Sequence, residues 1–321
     1  MTSVRNLPVD ALVELALTDD RRAVGRLLTL VERNGPEATE CAMMLHAHGT
    51  GSHVIGITGA PGAGKSTLVG EMVQQMVDGG SHPAVLAVDP SSPLTGGAIL
   101  GDRVRMAGVT EAFIRSVATR GHAGGLALAI PGAVRVFDAV GYNPVVIETV
   151  GVGQVEVDVT AAADTTVVVV TPGMGDAVQA NKAGLLEVAD IFVVNKADRP
   201  GASDARRDLE LMLDLSHMTG QEDASYRPPI LMTNSLEGEG HSAVIDAIET
   251  HRRHLVDTGQ LAKRRRRRIE FEIESRLSTV FEQRMIELKT DQRWVDIVDT
   301  TTAGTIAPPA ASQQVANLLL H

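Results

Sequence analysis

The stretch from Val54 to Thr67 constrains the fold more than any other part of this 321-residue chain. It starts as an apolar run typical of a β-strand, breaks into a glycine-rich loop and continues as a helix. Gly59, Gly64, Lys65 and Ser66 fit the pattern G-x-x-x-x-G-K-[ST]. In that pattern backbone N–H groups turn inward onto phosphate oxygens, and the helix adds its positive N-terminal end.

The loop predicts a phosphate site with defined side-chain roles. The residues expected to bind phosphate are Gly59, Ala60, Pro61, Gly62, Ala63, Gly64, Lys65, Ser66 and Thr67. The Lys65 ammonium would reach the outer phosphates, and the Ser66 hydroxyl would ligate Mg²⁺. The sequence therefore predicts a bound nucleotide together with Mg²⁺.

Composition excludes several classes of protein. With 44% hydrophobic and 21% charged residues, the chain is typical of a globular protein. No apolar run reaches the ~20 residues that a membrane span needs, so we expect no membrane partner. A net charge of −11 argues against nucleic-acid binding. The segment Met1–Pro8 lacks the apolar part of a signal peptide and Cys41 is the single cysteine, so a cytoplasmic location fits best.

Strand and helix patterns alternate from His53 onward. Several strand candidates are continuously apolar, as expected where both faces of a sheet are covered. The fold class predicted is α/β, a doubly wound and mostly parallel sheet with ligands at the carboxyl ends of its strands. The strand candidates are Val54–Thr58, Ala84–Val88, Ala112–Val117, Val145–Ile147, Thr166–Val170, Ile191–Val194 and Ile230–Met232.

Helical patterns flank the alternating part, which divides the chain into residues 1–50, 51–257 and 258–321. The first segment is expected to pack as a cap on the nucleotide domain, with one apolar face: Leu12, Leu15, Ala16, Val24, Leu27, Leu28 and Val31. The last begins with a long helix bearing an apolar stripe: Ile269, Ile273, Leu277, Val280, Phe281, Met285 and Leu288. Such a stripe needs a cover, so we expect a homodimer, or else folding back onto the N-terminal helices.

Three further patterns can be interpreted either as structural or as functional features, and we adopt the structural interpretation of each. The basic run Lys263–Arg268 is interpreted as a solvated helical face, with an acidic partner, nuclear localisation or nucleic-acid binding as alternatives. His46, His48 and His53 are interpreted as surface histidines rather than metal ligands, because no cysteine or carboxylate lies at ligand spacing among them. The stretch from Asp299 to Ala311 has the composition of a loop.

A second nucleotide motif, Asn195-Lys-Ala-Asp198, follows the apolar strand Ile191–Val194. It is the guanine-reading N-K-x-D pattern of G proteins. The Asp198 carboxylate can accept hydrogen bonds from both guanine N1–H and the exocyclic amine, a donor pair that adenine lacks. The aliphatic stem of Lys196 would cover the base. The nucleotide is therefore predicted to be GTP or GDP.

A third motif, Glu148-Thr-Val-Gly151, has the D-x-x-G layout with glutamate as its acid. Glu148 would face Mg²⁺, and the Gly151 N–H would contact the γ-phosphate. Asp89 and Asp102 are further candidate metal ligands, with surface-loop carboxylates as the alternative. The glutamine that orients water in Ras-like enzymes is replaced by Val152, so we expect slow hydrolysis by the isolated protein.

Together these motifs resemble the MeaB/ArgK family of G proteins, which includes the human methylmalonic aciduria type A protein. Glu148 in the acidic position is what this family carries. The resemblance covers at least residues 50–240 and runs through Gly59–Thr67, Val88–Pro93, Gly96–Met106, Ala118–Gly125, Glu148–Gln154, Pro172–Asp176 and Asn195–Asp198.

The resemblance implies a P-loop GTPase that forms a homodimer partly through its C-terminal helices. Its family partner is adenosylcobalamin-dependent methylmalonyl-CoA mutase, for which it gates cobalamin loading and prevents inactivation. A switch segment containing Asp176 and Lys182 would respond to the mutase. Where the family has Thr-Ser-Ala after the last strand, this chain has Thr233-Asn-Ser235, and a backbone N–H of Asn234 or Ser235 would meet guanine O6.

Three other functions fit parts of the pattern. An ATPase or kinase linked to basic amino-acid transport is opposed by Asn195-Lys-Ala-Asp198, which selects guanine. A metal-insertion GTPase is opposed by the lack of His/Cys clusters in the sequence. A switch or scaffold with little turnover stays open, because binding and hydrolysis use nearly the same residues.

Overall fold

A computed structural model describes the following parts of the chain: residues 4–89, 111–118, 123–149, 159, 161–173, 188–219 and 226–320. The strands are β1 Val54–Gly59, β2 Ala84–Asp89, β3 Phe113–Ala118, β4 Val145–Thr149, β5 Thr165–Val170, β6 Ile191–Asn195 and β7 Ile230–Thr233. The helices are α1 Val9–Leu17, α2 Arg21–Arg33, α3 Pro36–Leu45, α4 Lys65–Asp78, α5 Ala123–Val140, α6 Ala202–Thr219, α7 His241–Asp257, α8 Gln260–Leu288, α9 Gln292–Thr302 and α10 Pro308–Leu320.

The seven strands form one sheet in the order β3-β2-β4-β1-β5-β6-β7, and every pair is parallel. This confirms the predicted doubly wound sheet, with strand ends that differ from the sequence candidates by one or two residues. In β1, β4, β5 and β6 every residue is buried. These strands read as apolar runs because helices cover both faces of the sheet.

Two layers of helices cover the sheet. On one face α1, α2, α3 and α5 pack on the side chains of Val54, Leu86 and Ile147, and on the other α4 and α7 pack on Ile55, Ile57 and Val146. The N-terminal helices are therefore a packing cap on the sheet, as predicted. Within their predicted apolar face, Leu15 is exposed and the other six residues are buried.

The chain divides into two compact units, Met1–Arg268 and Ile269–His321. In the second unit the stripe residues of α8 are exposed, apart from Leu288, which is buried, and Met285. Met285 and Trp294 line an apolar groove of about 450 Å³, together with residues of α9 and α10 such as Val298, Val315 and Leu319. The loop predicted over Asp299–Ala311 is shorter than expected, because α9 extends to Thr302 and α10 begins at Pro308, which leaves residues 303–307 as the loop.

The solvated-face interpretation of the basic run is wrong for three of its six residues. Leu261, Arg264, Arg265 and Arg268 lie on the partly buried face of α8 at three- and four-residue spacing. Arg264 forms two 2.7 Å bonds to the carboxylate of Asp190. The acidic partner of this run is therefore in its own chain, at the amino-terminal edge of the sheet.

A second buried carboxylate, Asp164, receives the other two arginines. Arg265 lies 3.3 Å and Arg268 3.5 Å from its side-chain oxygens, and Arg268 also donates to the Ala162 carbonyl at 2.8 Å. Asp164 accepts the backbone N–H of Val54 at 3.0 Å, and Asp190 accepts that of Thr166 at 2.8 Å. The two aspartates thus hold the starts of β1 and β5 as well as the first turns of α8.

Two histidines complete this amino-edge network, and one of them corrects the sequence interpretation. His53 is buried rather than on the surface, and its Nε2 lies 2.8 Å from the Thr165 hydroxyl. The same hydroxyl lies 2.9 Å from Nδ1 of His251, whose Nε2 is 3.3 Å from Asp190. Burial lowers the pKa of each imidazole to about 4, so both rings are neutral at pH 7.

Among the described helices we find none with the length and apolar character needed to cross a membrane.

Candidate functional site

The phosphate loop lies at the carboxyl end of β1, the strand at the centre of the sheet. Gly59 has φ +137° and packs on β5 so closely that a Cβ atom would collide with the Val169 carbonyl oxygen. Gly64 has φ +90°, and a Cβ atom there would collide with the side-chain amide of Asn195. Glycine is therefore required at these two positions, because the backbone on each side of the loop approaches too closely for a side chain.

Lys65 is the first residue of α4 and is buried. Its ammonium donates to the carbonyl oxygens of Gly59 at 2.6 Å and Ala60 at 3.0 Å. The positive charge is therefore held inside the loop, next to the N-terminus of α4, where the backbone N–H groups also favour an anion. This is the geometry expected of a residue that meets the outer phosphates.

Two of the predicted metal ligands meet at this point. The Ser66 hydroxyl donates to Oε1 of Glu148 at 2.6 Å, and the Glu148 side chain is buried at the end of β4. Hydroxyl and carboxylate oxygens suit Mg²⁺, which takes oxygen ligands and retains several waters. The side chains present here therefore fit the ion that the motifs imply. Among the described residues no cluster of three or more histidine, cysteine or acidic side chains could hold a metal by itself.

The remaining metal and switch candidates are described only in part. Asp89 is the last residue of β2, one position beyond the rung that pairs Val88 with Thr149 of β4. Its backbone thus ends at the same edge of the sheet as Glu148. Asp102, Gly151, Asp176 and Lys182 lie outside the described residues.

Asn195 joins the guanine motif to the phosphate loop. Its side-chain amide nitrogen donates to the Ala63 carbonyl at 2.9 Å. Its Oδ1 accepts from the Thr233 hydroxyl at 3.1 Å, and from the Ser235 N–H at 3.2 Å and hydroxyl at 2.8 Å. One buried amide therefore fixes three segments, which are the phosphate loop, the end of β6 and the loop after β7.

The other two motif residues lie at the surface of the same corner. Lys196 has φ +60° and donates from Nζ to the Gly62 carbonyl at 2.7 Å, so its stem runs along the phosphate loop. Asp198 is exposed, as a side chain that reads the edge of a base must be. The backbone N–H of Ala197 donates to the Thr233 carbonyl at 3.0 Å, which ties the motif to β7.

The loop after β7 is closed by its own backbone. The Asn234 N–H donates to the Glu239 carbonyl at 3.1 Å, and the Glu239 N–H donates back at 3.2 Å. The N–H groups of Asn234 and Ser235 are therefore both engaged inside the protein. Either one would have to change its acceptor to meet guanine O6, so the role predicted for this pair stays a prediction.

Sequence reasoning missed two buried features next to the site. The hydroxyl of Thr149 donates to that of Thr58 at 3.2 Å, between the ends of β4 and β1. His241, the first residue of α7, is fully buried, and neither ring nitrogen has a hydrogen-bond partner among the described residues. Burial lowers the pKa of His241, and the charge of Glu71 opposes this in part. Thr149 lies inside Glu148-Thr-Val-Gly151, but that pattern requires no hydroxyl at this position, and His241 belongs to no motif, so the sequence patterns identify neither feature.

A sequence profile of one family, Methylmalonyl Co-A mutase-associated GTPase MeaB, matches residues 24–290. The chain belongs to this family. A protein of Pyrococcus horikoshii that is named as a GTPase is 46% identical over 84% of this chain and 85% of its own length. The fused isobutyryl-CoA mutase of Cupriavidus metallidurans is 37% identical over 61% of this chain, which corresponds to 19% of that longer protein.

The MeaB fold also matches a solved structure over nearly its whole length. The crystal structure of a LAO/AO transport system kinase superposes with a TM-score of 0.72 and 24% identity, covering 98% of both chains. At that identity the match shows the fold alone. It supports the parallel sheet with helical N-terminal and C-terminal regions.

Proposed function

We propose that this protein binds GTP and GDP with Mg²⁺ and hydrolyses GTP to GDP and phosphate. The observation that carries the proposal is the position of Asn195, whose amide links the phosphate loop to the residues expected to read guanine. A phosphate cradle alone would serve any nucleotide. Its rigid connection to an exposed Asp198 is what makes the site selective for guanine.

Each side chain has a role in this proposal. Lys65 would hold the β- and γ-phosphates, and Asp198 the two guanine donors. Ser66 and Glu148 would hold Mg²⁺, joined by Asp89 and Asp102. The ion would neutralise charge on the phosphate oxygens as the γ-phosphoryl group leaves. Gly151, with the segment that contains Asp176 and Lys182, would respond to the γ-phosphate.

Competition binding tests the choice of base. GTP should displace labelled GDP at far lower concentration than ATP does, because a site that uses guanine's donors can reject an analogue without them by a factor on the order of 10⁴. Asp198→Ala should abolish most of that discrimination and leave phosphate binding intact. Lys65→Ala should abolish binding or turnover of both nucleotides. Equal displacement of GDP by ATP and GTP in the unmodified protein would remove the guanine assignment.

Turnover by the isolated protein is expected to be slow. Val152 stands where a glutamine would orient the attacking water, so the missing group would have to come from elsewhere. Single-turnover assays on the isolated chain test this. A rate near the several per second of activated G proteins would contradict the expectation.

We further propose that the partner is an adenosylcobalamin-dependent acyl-CoA mutase, for which the protein acts as a GTP-dependent chaperone that gates cobalamin loading. Support comes from the family's name and from the relative in which a similar segment is fused to isobutyryl-CoA mutase. Thermodynamic coupling makes this measurable from either side. If the mutase binds the GTP form and the GDP form of this protein with different affinities, it must change the protein's relative affinity for GTP and GDP by the same factor. Titrating methylmalonyl-CoA and isobutyryl-CoA mutases against both forms tests it. No binding and no change in turnover would leave a GTPase without this partner.

A homodimer is the third part of the proposal. Its support is the exposed stripe of α8, where Ile269, Ile273 and Leu277 are each more than half exposed. A contiguous apolar face of that kind commonly marks an interaction site.

A truncated chain tests the dimer. Removing residues 270–321 keeps Arg264, Arg265 and Arg268 on the sheet edge, whereas a cut after Gly259 would leave Asp164 and Asp190 without them. Light scattering should show a dimer for the full chain and a GDP-binding monomer for the shorter one. A monomeric full-length protein would remove the dimer.

A further inference from the structure

A pair of buried hydroxyls, those of Thr58 and Thr149, stands beside the proposed magnesium site, and no motif assigns either of them a role. Thr149 Oγ1 donates to Thr58 Oγ1 at 3.2 Å, and the side chains are only 1% and 2% exposed. In the parallel pairing of β1 and β4, Ile57 stands opposite Glu148, so the two threonines form the next rung toward the carboxyl edge. Among the described residues, they are the last contact between the side chains of these two strands toward the carboxyl edge.

The hydroxyls face the side of the sheet opposite to the ligands. Side chains alternate along a strand, so Thr58 and Thr149 point away from the face that carries Ile57 and Glu148. The core on their own face includes Val54, Leu86 and Ile147. The pair therefore does not touch the proposed ion. Any effect on the site has to pass through the backbone of residues 58–59 and 148–149.

Packing alone does not explain two hydroxyls at this position. Valine has nearly the same shape as threonine, and replacing both partners of a buried hydrogen bond by apolar groups of the same shape can be nearly neutral. What the bond adds is a directional tie between two strand ends. One strand end leads into Gly59 and on to Ser66, and the other carries Glu148, whose carboxylate lies 2.6 Å from the Ser66 hydroxyl.

We propose that Thr58 and Thr149 are positioning residues that keep Ser66 and Glu148 at the spacing needed to bind Mg²⁺ together. The inference rests on the proposed GTPase function, and it assigns a role to two residues outside the ligand set. Removing the bond would leave the ends of β1 and β4 joined only by the backbone ladder that reaches Ile57 and Glu148, so the Ser66 and Glu148 oxygens would be held less closely at the spacing that one ion needs.

The test compares Thr149→Val, Thr58→Val and the double variant with the unmodified full chain. The readouts are the Mg²⁺ concentration that gives half-maximal GTP turnover, the affinity for GDP in excess EDTA, and stability in urea. Loss of one buried hydrogen bond should raise the Mg²⁺ midpoint about twofold to tenfold. GDP affinity in EDTA should stay unchanged, because the phosphate and guanine contacts do not involve the pair.

Two controls separate positioning from simple destabilisation. In the double variant neither hydroxyl is left without its partner, so stability should recover while the Mg²⁺ midpoint stays raised. Thr149→Ser keeps the hydroxyl and should restore the normal midpoint. Thr166→Val, at a buried threonine near the start of β5, should leave the midpoint unchanged.

The outcomes distinguish this inference from the function on which it rests. If the unmodified protein turns over GTP with a clear Mg²⁺ requirement and the Thr149→Val variant has the same midpoint, the positioning role is refuted and the GTPase stands. Recovery of the midpoint in the double variant would likewise refute it, because the defect would then come only from an unsatisfied hydroxyl. If the unmodified chain neither binds GDP nor requires Mg²⁺, the proposed function itself fails.

Discussion

Replacing Arg264 by alanine should destabilise the protein more than any other single change in the basic run. Arg264 makes two 2.7 Å bonds to Asp190 and one of 2.9 Å to the Asp164 carbonyl. The Asp190 side chain is 9% exposed, whereas that of Arg264 is 35% exposed. The variant would leave a nearly buried carboxylate without the cation that pairs with it.

The magnitude lies between two known limits. Breaking a fully buried ion pair by removing one partner costs about 3–5 kcal/mol, whereas an exposed pair contributes about 0–1 kcal/mol. Asp190 would keep the Thr166 N–H and the neighbouring His251, and water would reach the space that the guanidinium leaves. We therefore expect the free energy of unfolding to fall by about 2–3 kcal/mol.

Urea denaturation of the nucleotide-free full chain measures this change, with Arg267→Ala as the matched control. Arg267 is an exposed residue of the same helix, so its removal should change stability by less than about 0.5 kcal/mol. GDP affinity should be the same in both variants below the unfolding range, because the network lies at the amino edge and the proposed nucleotide site at the carboxyl edge. Equal denaturation midpoints for the two variants would refute the reasoning.

Two further predictions concern the loop and pH. Gly64→Ala should lose GDP affinity far more than Gly62→Ala. Both glycines have a positive φ, so both variants carry backbone strain, but only the Cβ atom at 64 also collides with the Asn195 amide. Equal affinities, measured by titration, would contradict this. The free energy of unfolding should fall as pH drops from about 6.5 toward 4, by up to about 1.4 kcal/mol per unit for each histidine, because His53 and His251 take up protons more readily in the unfolded chain. Urea unfolding at pH 7 and pH 5 checks this, and His251→Gln should reduce the pH dependence; equal stability at both pH values would contradict it.

The candidate site at the carboxyl edge of the sheet could be predicted because its residues lie in short contiguous segments of the sequence. Gly59 to Thr67 and Asn195 to Asp198 each contain the required residue types at fixed spacing. Each segment follows a strand that is buried on both faces of the sheet. The structure adds the connection between them, since the Asn195 amide contacts Ala63, Thr233 and Ser235 from three separate segments. Nothing in the spacing of residues within one segment encodes a contact between segments.

The amino edge was misread for the same reason. Lys263–Arg268 has the composition of a solvated face, and its true pairing depends on Asp164 and Asp190, about 75 to 100 residues earlier in the chain. A local signal did exist, because each aspartate immediately precedes a buried apolar strand, where an unpaired carboxylate would be costly. A buried acid at the start of a strand requires a donor, and the partly buried arginines at 264, 265 and 268 recur at helical spacing on one face of α8. Pairing a periodic set of cations with carboxylates at strand starts therefore places the first turns of this helix on the amino edge of the sheet.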